Sequence, residues 1–280
     1  MAAAALGRRR WVPPDLARSW LLVPATAIEG CQSADADQVI LDLEDGVDPG
    51  KKEAARQAVA TFLADGGAAW VRINPRSTSH WRRDLESLRD ATGVKGIVLA
   101  KTESPDEVSE TSDMLEGVRV IPLIESAVGI ESSIAIATTR GSFRLAFGSG
   151  DYRRDTGTGS SDMALVYPRS RLVTASRIGN LSGPIDGPAT SRSRLESETR
   201  SAQDLGMTGK LCVRPLDALT INSALSPTPV EVAWADDVLA EFDESGGVVR
   251  DGSDPPRLGR AAKIQRLASA YQVIPGSDSP

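Results

Sequence analysis

Charged side chains that close apolar runs carry this sequence's clearest chemistry, because an ionised group at the edge of a hydrophobic strand is costly unless it is paired or holds a cation. They recur along the chain as Asp42, Glu44 and Asp45, then Arg72 with the polar Asn74 beside it, then Lys101, Glu125, Asp151, Asp186 and Arg214. Glu125 and Asp151 suit a metal best, since carboxylate oxygens fit Mg²⁺, which keeps several waters and takes only one or two protein carboxylates. The open coordination positions could take a chelating substrate such as a 2-oxo acid. Arg72 can bind a carboxylate through two parallel hydrogen bonds, which fixes orientation as well as charge. Glu125 and Arg72 also read as a structural ion pair, and spacing alone leaves both readings open. Around Asp151 the chain is glycine-rich, with Gly148, Gly150, Gly157 and Gly159. It lacks the lysine and spacing of a phosphate-binding P-loop, so it reads as a turn that lets Asp151 approach the backbone closely.

Those residues need a scaffold that gathers strand ends. Apolar, β-rich runs occupy 20–23, 38–43, 70–73, 96–99, 118–124, 143–147, 182–185 and 210–213. Stretches with helical spacing lie between them, at 51–63, 79–90, 105–115, 127–138, 163–178 and 193–205. Strands alternating with helices predict parallel βα units, and continuously apolar strands predict sheets covered on both faces. Eight units favour a closed (β/α)8 TIM barrel, whose reactive side chains sit at the C-terminal strand ends. No G-x-G-x-x-G follows the first strand, which argues against a dinucleotide-binding open sheet. Beyond the eighth strand, helical segments at 216–225, 230–243 and 258–271 predict a C-terminal helical extension. The expected organisation is a disordered leader at 1–17, the barrel at 18–225 and the extension or lid at 226–280.

Composition narrows the function classes. The chain has 280 residues, 32 Lys+Arg against 38 Asp+Glu, a net charge of −6, one His and two Cys. An acidic balance without a Lys/Arg stripe argues against nucleic acid. With His80 alone, Cys31 and Cys212 cannot complete a Cys/His zinc cluster, so a metal must be held mainly by oxygen. His80 itself reads as a helix-entry residue, and the two cysteines as packing residues. Two distant cysteines fit a reducing cytoplasm. Residues 1–10 place small apolar residues before three arginines, the reverse of a signal peptide. There is no apolar run of about 18 residues, so no transmembrane helix and no membrane partner is expected.

Specific segments extend this reading. Arg-Ser-Trp-Leu-Leu-Val-Pro at 18–24, Asp-Leu-Glu-Asp-Gly-Val at 42–47, Lys-Glu-Ala-Ala-Arg at 52–56 and Val-Arg-Ile-Asn-Pro at 71–75 come first. Pro-Leu-Ile-Glu-Ser-Ala-Val-Gly at 122–129, Phe-Gly-Ser-Gly-Asp at 147–151, Ile-Asp-Gly at 185–187 and Gly-Met-Thr-Gly-Lys at 206–210 follow. In that order, over residues 18–271, they resemble the citrate lyase β-subunit and malyl-CoA lyase family of the HpcH/HpaI aldolase and citrate lyase superfamily. The resemblance implies Mg²⁺-dependent cleavage or formation of a C–C bond between a 2-oxo acid and an acyl thioester, of coenzyme A or an acyl-carrier protein. It implies Glu125 and Asp151 as metal ligands, Arg72 as the oxo-acid clamp, and Glu44 and Asp45 around the metal. Arg18 and Lys52 would lie near coenzyme A phosphates. Asp254 would transfer a proton into a neighbouring subunit's site, which implies a homo-oligomer, a trimer or hexamer.

Three departures fall on the thioester side. A Lys-Ala pair expected near Gly30 and Cys31 is absent, the usual Ile-His-Pro after strand eight reads Val213-Arg214-Pro215, and the segment before Asp254 is shorter and lacks a Met. Besides a lyase, the sequence therefore allows hydrolytic release of the thioester, or a non-catalytic paralogue that binds Mg²⁺ and a 2-oxo acid.

Overall fold

The computed structural model describes residues 12–28 and 35–274. Eight parallel strands close into a barrel in sequence order: β1 (Ser19–Pro24), β2 (Gln38–Asp42), β3 (Ala69–Ile73), β4 (Val94–Leu99), β5 (Val120–Ile124), β6 (Ala146–Phe147), β7 (Ile185–Asp186) and β8 (Gly209–Cys212). Closure comes from β8 pairing with β1, with Ser19 opposite Lys210 and Leu21 opposite Cys212. The intervening helices are α1 (Lys52–Ala64), α2 (Ser79–Leu88), α3 (Pro105–Met114), α4 (Ala127–Thr138), α5 (Ser149–Thr156), α6 (Val166–Ile178), α7 (Leu195–Asp204) and α8 (Asp217–Ala224). Several cover the sheet with one apolar stripe. In α1 the stripe is Ala55, Val59 and Leu63, at i, i+4 and i+8. The expected TIM barrel is thus the observed fold.

An aromatic plug seals the N-terminal end of the barrel. Trp20 meets Trp70 edge-on with ring centroids 5.4 Å apart, and Trp70 stacks on Phe143 at 5.4 Å. Gly96 makes room for this plug, since a Cβ there would lie 2.1 Å from the Trp70 ring. The strands β6 and β7 are shorter than their expected runs. Phe143 stacks on Trp70 while its N–H stays on the Val120 carbonyl at 2.8 Å, and buried Arg144 turns its guanidinium to the carbonyls of Pro14, Ala17 and Gly183 and to the Thr208 hydroxyl. Residues 12–17, expected to belong to a disordered leader, are ordered by these contacts. The Gln38 amide donates to the Val12 carbonyl at 2.8 Å, and Val12 and Ala17 are buried. Residues 1–11 lie outside the described residues.

The chain divides into two compact units, the second beginning at Leu225. That unit packs α9 (Pro229–Glu244) on α10 (Asp254–Tyr271) through Val232, Ala235, Val238, Ala261, Ile264 and Ala268. A capping box of Thr228 and Glu231 starts α9. Helix α10 begins earlier than the expected 258, because Pro255 and Pro256 fall in its first turn, where a missing N–H lacks an intrahelical partner anyway. Among the described residues no helix is long and apolar enough to cross a membrane.

Candidate active site

The C-terminal ends of the strands form an acidic rim organised by Asp42. Its Oδ1 accepts from the Glu44 N–H at 2.8 Å and its Oδ2 from the Gly46 N–H at 2.9 Å, which folds the turn after β2. Asp42 stands opposite Arg72 in the β2–β3 register, so the two side chains share a face. Arg72 donates to it from Nε at 2.7 Å and from Nη2 at 2.6 Å. Burial opposes the guanidinium charge, but the bonds and attraction of Asp42, and then of Glu44, hold Arg72 above its ordinary range. The side edge of Arg72 is thereby fixed while protons on its terminal nitrogens remain for a ligand. Sequence reasoning placed Asp42 on this rim without a role; the fixed pairing between adjacent strands is the signal that could have assigned one.

Three further carboxylates crowd this rim. Glu44 is 2 % exposed, with Arg72 Nη1 3.2 Å from Oε2 and Lys101 Nζ bonded to Oε1. Burial raises the Glu44 carboxyl despite those cations. Asp45 is more exposed; although burial works the other way, a bond with Glu44 and the Lys101 ammonium hold its carboxyl below the usual range. Glu125, at the end of β5, is buried, which pushes its carboxyl up to about 8. The Lys101 N–H, 2.7 Å from Oε1, works against that rise, and the carboxylates of Glu44 and Asp151 reinforce it. A Cβ on Gly148 would come 2.2 Å from Glu125 Oε2, so only glycine lets this chain segment pass.

Asp151 is carried by α5, which occupies the segment expected to be a glycine-rich turn. It lies in the first turn, 3.1 Å from Arg154 Nη2, and no periodic apolar face betrays the helix in sequence. Asp155 Oδ2 accepts from the Ala127 N–H at 2.8 Å and ties α5 to the start of α4. Among the described residues no three acidic, His or Cys side chains converge into a cage. The donors at hand are instead a buried carboxylate raised by its neighbours, a second acid nearby, and a Glu44 Oε2 that lacks a hydrogen-bond partner. That sparse, all-oxygen set fits Mg²⁺.

Other expected site residues stand elsewhere. Arg18 precedes β1, at the end of the barrel opposite the rim, and its guanidinium pairs with Asp37 through Nε and Nη2, both at 2.9 Å. That corrects its expected place near coenzyme A phosphates: spacing along the chain could not say which barrel end the residue faces. Lys52 is 8 % exposed and its ammonium donates to the carbonyls of Leu43 and Glu44, each at 2.7 Å, and to Asn74 Oδ1 at 2.9 Å. It too is a structural cation, not a phosphate ligand, and it holds the backbone that presents Glu44. The support continues through Asn74, whose N–H and Nδ2 donate to Asp84, and Arg56, which donates to Asp84 Oδ1 at 2.7 Å. Lys52→Met should therefore cost about 2–3 kcal/mol in urea unfolding, since it strands buried acceptors. A phosphate ligand would instead raise only the KM for the thioester.

His80 Nδ1 lies 2.8 Å from Arg56 Nη2, in α2 and turned toward α1, which leaves it as the helix-entry residue expected. Arg214 pairs with Asp217 at 2.9 Å and stays half exposed. Cys212 is buried, and burial pushes its thiol up to about 12, an inert packing residue. Gly30 and Cys31 lie outside the described residues. Asp254 belongs to the second unit, where the Arg250 N–H donates to it at 2.8 Å and the Arg250 guanidinium holds its carboxyl below the usual range.

The HpcH/HpaI aldolase/citrate lyase profile matches residues 20–215, and the HpcH/HpaI aldolase C-terminal domain matches residues 230–272. A citrate lyase subunit beta-like protein of Mycobacterium tuberculosis is 32% identical, with 89% of this chain and 94% of the relative covered. The mitochondrial citramalyl-CoA lyase of Rattus norvegicus is 29% identical, covering 96% of this chain and 90% of its own. The crystal structure of CitE from Mycobacterium tuberculosis, in complex with magnesium, acetoacetate and coenzyme A, superposes with a TM-score of 0.77 at 28% identity, covering 91% of this chain and 99% of that one.

Proposed function

This chain belongs to the HpcH/HpaI aldolase/citrate lyase family, and on that premise we propose that it is a Mg²⁺-dependent lyase that cleaves or forms a 3-hydroxyacyl thioester from a 2-oxo acid and an acyl thioester, with coenzyme A as carrier. The observation that carries the reading is the rim itself: a guanidinium with its side edge locked by Asp42, beside a buried carboxylate with two acidic neighbours. Glu125 and Asp151 would hold the metal, and Glu44 and Asp45 would border it. Mg²⁺, when bound, supplies Lewis-acid polarisation of the substrate oxygen at the bond that breaks or forms. Arg72 binds the oxo-acid carboxylate through its terminal N–H groups and keeps it in one orientation. Because Asp42 and Glu44 fix the guanidinium beforehand, no reorganisation is needed as charge develops on the substrate.

The proton relay is the part that reaches beyond one copy of the chain. Asp254, held ionised by Arg250, is suited to accept a proton rather than donate one, and its entry into a site would come from a neighbouring copy in a homo-oligomer. The carrier side differs from the family pattern at Arg214, a fixed cation paired with Asp217, which favours an anionic carrier over a neutral one.

The test is a screen of malyl-, citramalyl- and citryl-thioesters with Mg²⁺, reading release of glyoxylate, pyruvate or oxaloacetate together with the acyl thioester. Free acid in place of the thioester product would point to hydrolysis, and no turnover with retained oxo-acid binding to a non-catalytic paralogue. Arg72→Lys should lower kcat/KM by roughly 10²-fold or more while leaving Mg²⁺ affinity near that of the unaltered protein, because lysine keeps the charge but cannot make the planar two-bond contact.

A further inference from the structure

Lys101 is a rim cation to which neither the family reading nor the mechanism above gives a task, and its geometry is unusual. It follows β4 with a left-handed φ of 51°, a region that glycine enters freely and lysine does not. The backbone on both sides is pinned, by the Ala100 N–H on the Ile73 carbonyl at 3.4 Å and the Thr102 N–H on the Leu123 carbonyl at 3.1 Å. Held between β3 and β5, the Lys101 N–H points at Glu125 Oε1, 2.7 Å away. Its side chain then turns across the rim to Glu44 Oε1 and to Asp45 Oδ2, the latter at 3.3 Å, and remains about one-third exposed. A glycine would give the same backbone without strain, so the side chain is what this position retains at a cost.

The charges around it show why. Asp42, Glu44, Asp45, Glu125 and Asp151 share this rim, and the Arg72 guanidinium is engaged by Asp42 and by one Glu44 oxygen. The other Glu44 oxygen is bonded to the Lys101 ammonium.

We propose that Lys101 is a positioning residue with two separable tasks: its backbone N–H sets the orientation of Glu125, and its ammonium is a tethered counter-ion on Glu44 and Asp45 that gives way to a divalent cation and then faces an anionic ligand. The inference rests on the reading of Glu125 and Asp151 as a Mg²⁺ site. While the cation is absent, the ammonium occupies the field that the cation needs. Once the cation enters, repulsion releases the ammonium from the acid pair, and the exposed part of the side chain becomes a second positive group, beside Arg72, for the substrate's anionic end. The two effects have opposite signs, which a purely structural role does not produce.

Calorimetry of the full-length chain with Mg²⁺, and then of the Mg²⁺-loaded chain with oxaloacetate, separates them. Lys101→Met should tighten Mg²⁺ about tenfold and weaken oxaloacetate about tenfold, the size expected for one charge removed at a partly screened site. Lys101→Gly keeps the N–H and loses the ammonium, so its two affinities should match those of Lys101→Met, and Lys101→Arg should stay within about threefold of the unaltered chain. The gain in Mg²⁺-dependent melting temperature should be larger in Met and Gly variants, which gives a second readout if one variant folds poorly. Unchanged affinities, or weakening of both ligands together, would overturn the proposal. If the unaltered chain bound no Mg²⁺, the functional reading would fall and this inference with it; Mg²⁺ binding by the unaltered chain with no response at Lys101 sinks the inference alone.

Discussion

Glu125→Gln is expected to abolish measurable Mg²⁺ binding and to lower lyase turnover by at least roughly 10³-fold, the scale on which loss of a metal or of oxyanion stabilisation is felt. Glutamine preserves the shape of the side chain and leaves an oxygen to accept the Lys101 N–H, so the rim should keep its structure. What it removes is the ionisable oxygen through which Glu125 would hold a cation. Glu125→Ala should lose the same activities, and turnover in either variant would sink the lyase reading.

The same substitution should alter stability in the opposite direction. Burial, reinforced by Glu44 and Asp151, pushes the Glu125 carboxyl from 4.5 up to about 8, so the folded chain favours its protonated form. Stability from that preference is fully present below 4.5 and is lost as pH rises to about 8. Metal-free Glu125→Gln should therefore melt no differently from the unaltered chain at low pH and increasingly above it as pH approaches 8. Mg²⁺ should restore the unaltered chain and do nothing for the variant. A functional carboxylate held against its own solvation is a stability–activity trade-off, and the pH series measures both sides of it.

How much of this was legible in the residues alone depended on whether a property lives along the chain or across it. The barrel, and the place of Glu125, Asp151 and Arg72 on its rim, were readable because charged residues end apolar runs, a signal that lies in sequence order. Lys52 and Arg18 were misplaced because a cation's partners lie across the fold: α1 turns Lys52 inward to Leu43, Glu44 and Asn74, and β1 sets Arg18 at the far end of the barrel. Helix α5 was hidden because Ser149, Gly150 and Asp151 are turn formers, and what makes them helical is the tertiary context after β6, including the bond of Asp155 to the start of α4. Strand β6 was overextended because Phe143 serves the aromatic plug, and β7 because the Gly183 carbonyl is taken by the Arg144 guanidinium. Asp42 and Lys101 were visible as rim residues, but their tasks depend on a register and a backbone angle that no residue pattern encodes.

Asp186→Asn should be the most destabilising single change in the barrel. Asp186 ends β7 almost fully buried, with Lys210 Nζ 2.5 Å from Oδ2 and Arg169 donating from Nε at 2.9 Å and from Nη2 at 3.1 Å. Both cations are buried as well, so a neutral amide takes the counter-charge from Lys210 and leaves Arg169 the more distant Asp162, 3.5 Å from Nη1. Breaking a buried ion pair from one side costs about 3–5 kcal/mol, read as a fall in the urea midpoint at constant m. Burial alone would raise the Asp186 carboxyl, but Lys210 and Arg169 overcome it and hold the group below its ordinary 3.8. Its contribution is thus present above pH 3.8 and lost as pH falls through the lower, folded value, so the variant should lack the part of the acid-unfolding limb that the unaltered chain shows there. Lys210→Met should cost less, because Asp186 keeps the Arg169 fork and the unpaired ammonium is gone. The loss should also reach the rim: a Cβ on neighbouring Gly187 would lie 2.2 Å from Ser149 Oγ, so the end of β7 is packed directly under the first turn of α5, which carries Asp151. Mg²⁺ affinity should therefore weaken in Asp186→Asn while remaining near normal in Lys210→Met; equal Mg²⁺ affinity in both variants would show that the buried triad supports the fold alone and not the placement of Asp151 above it.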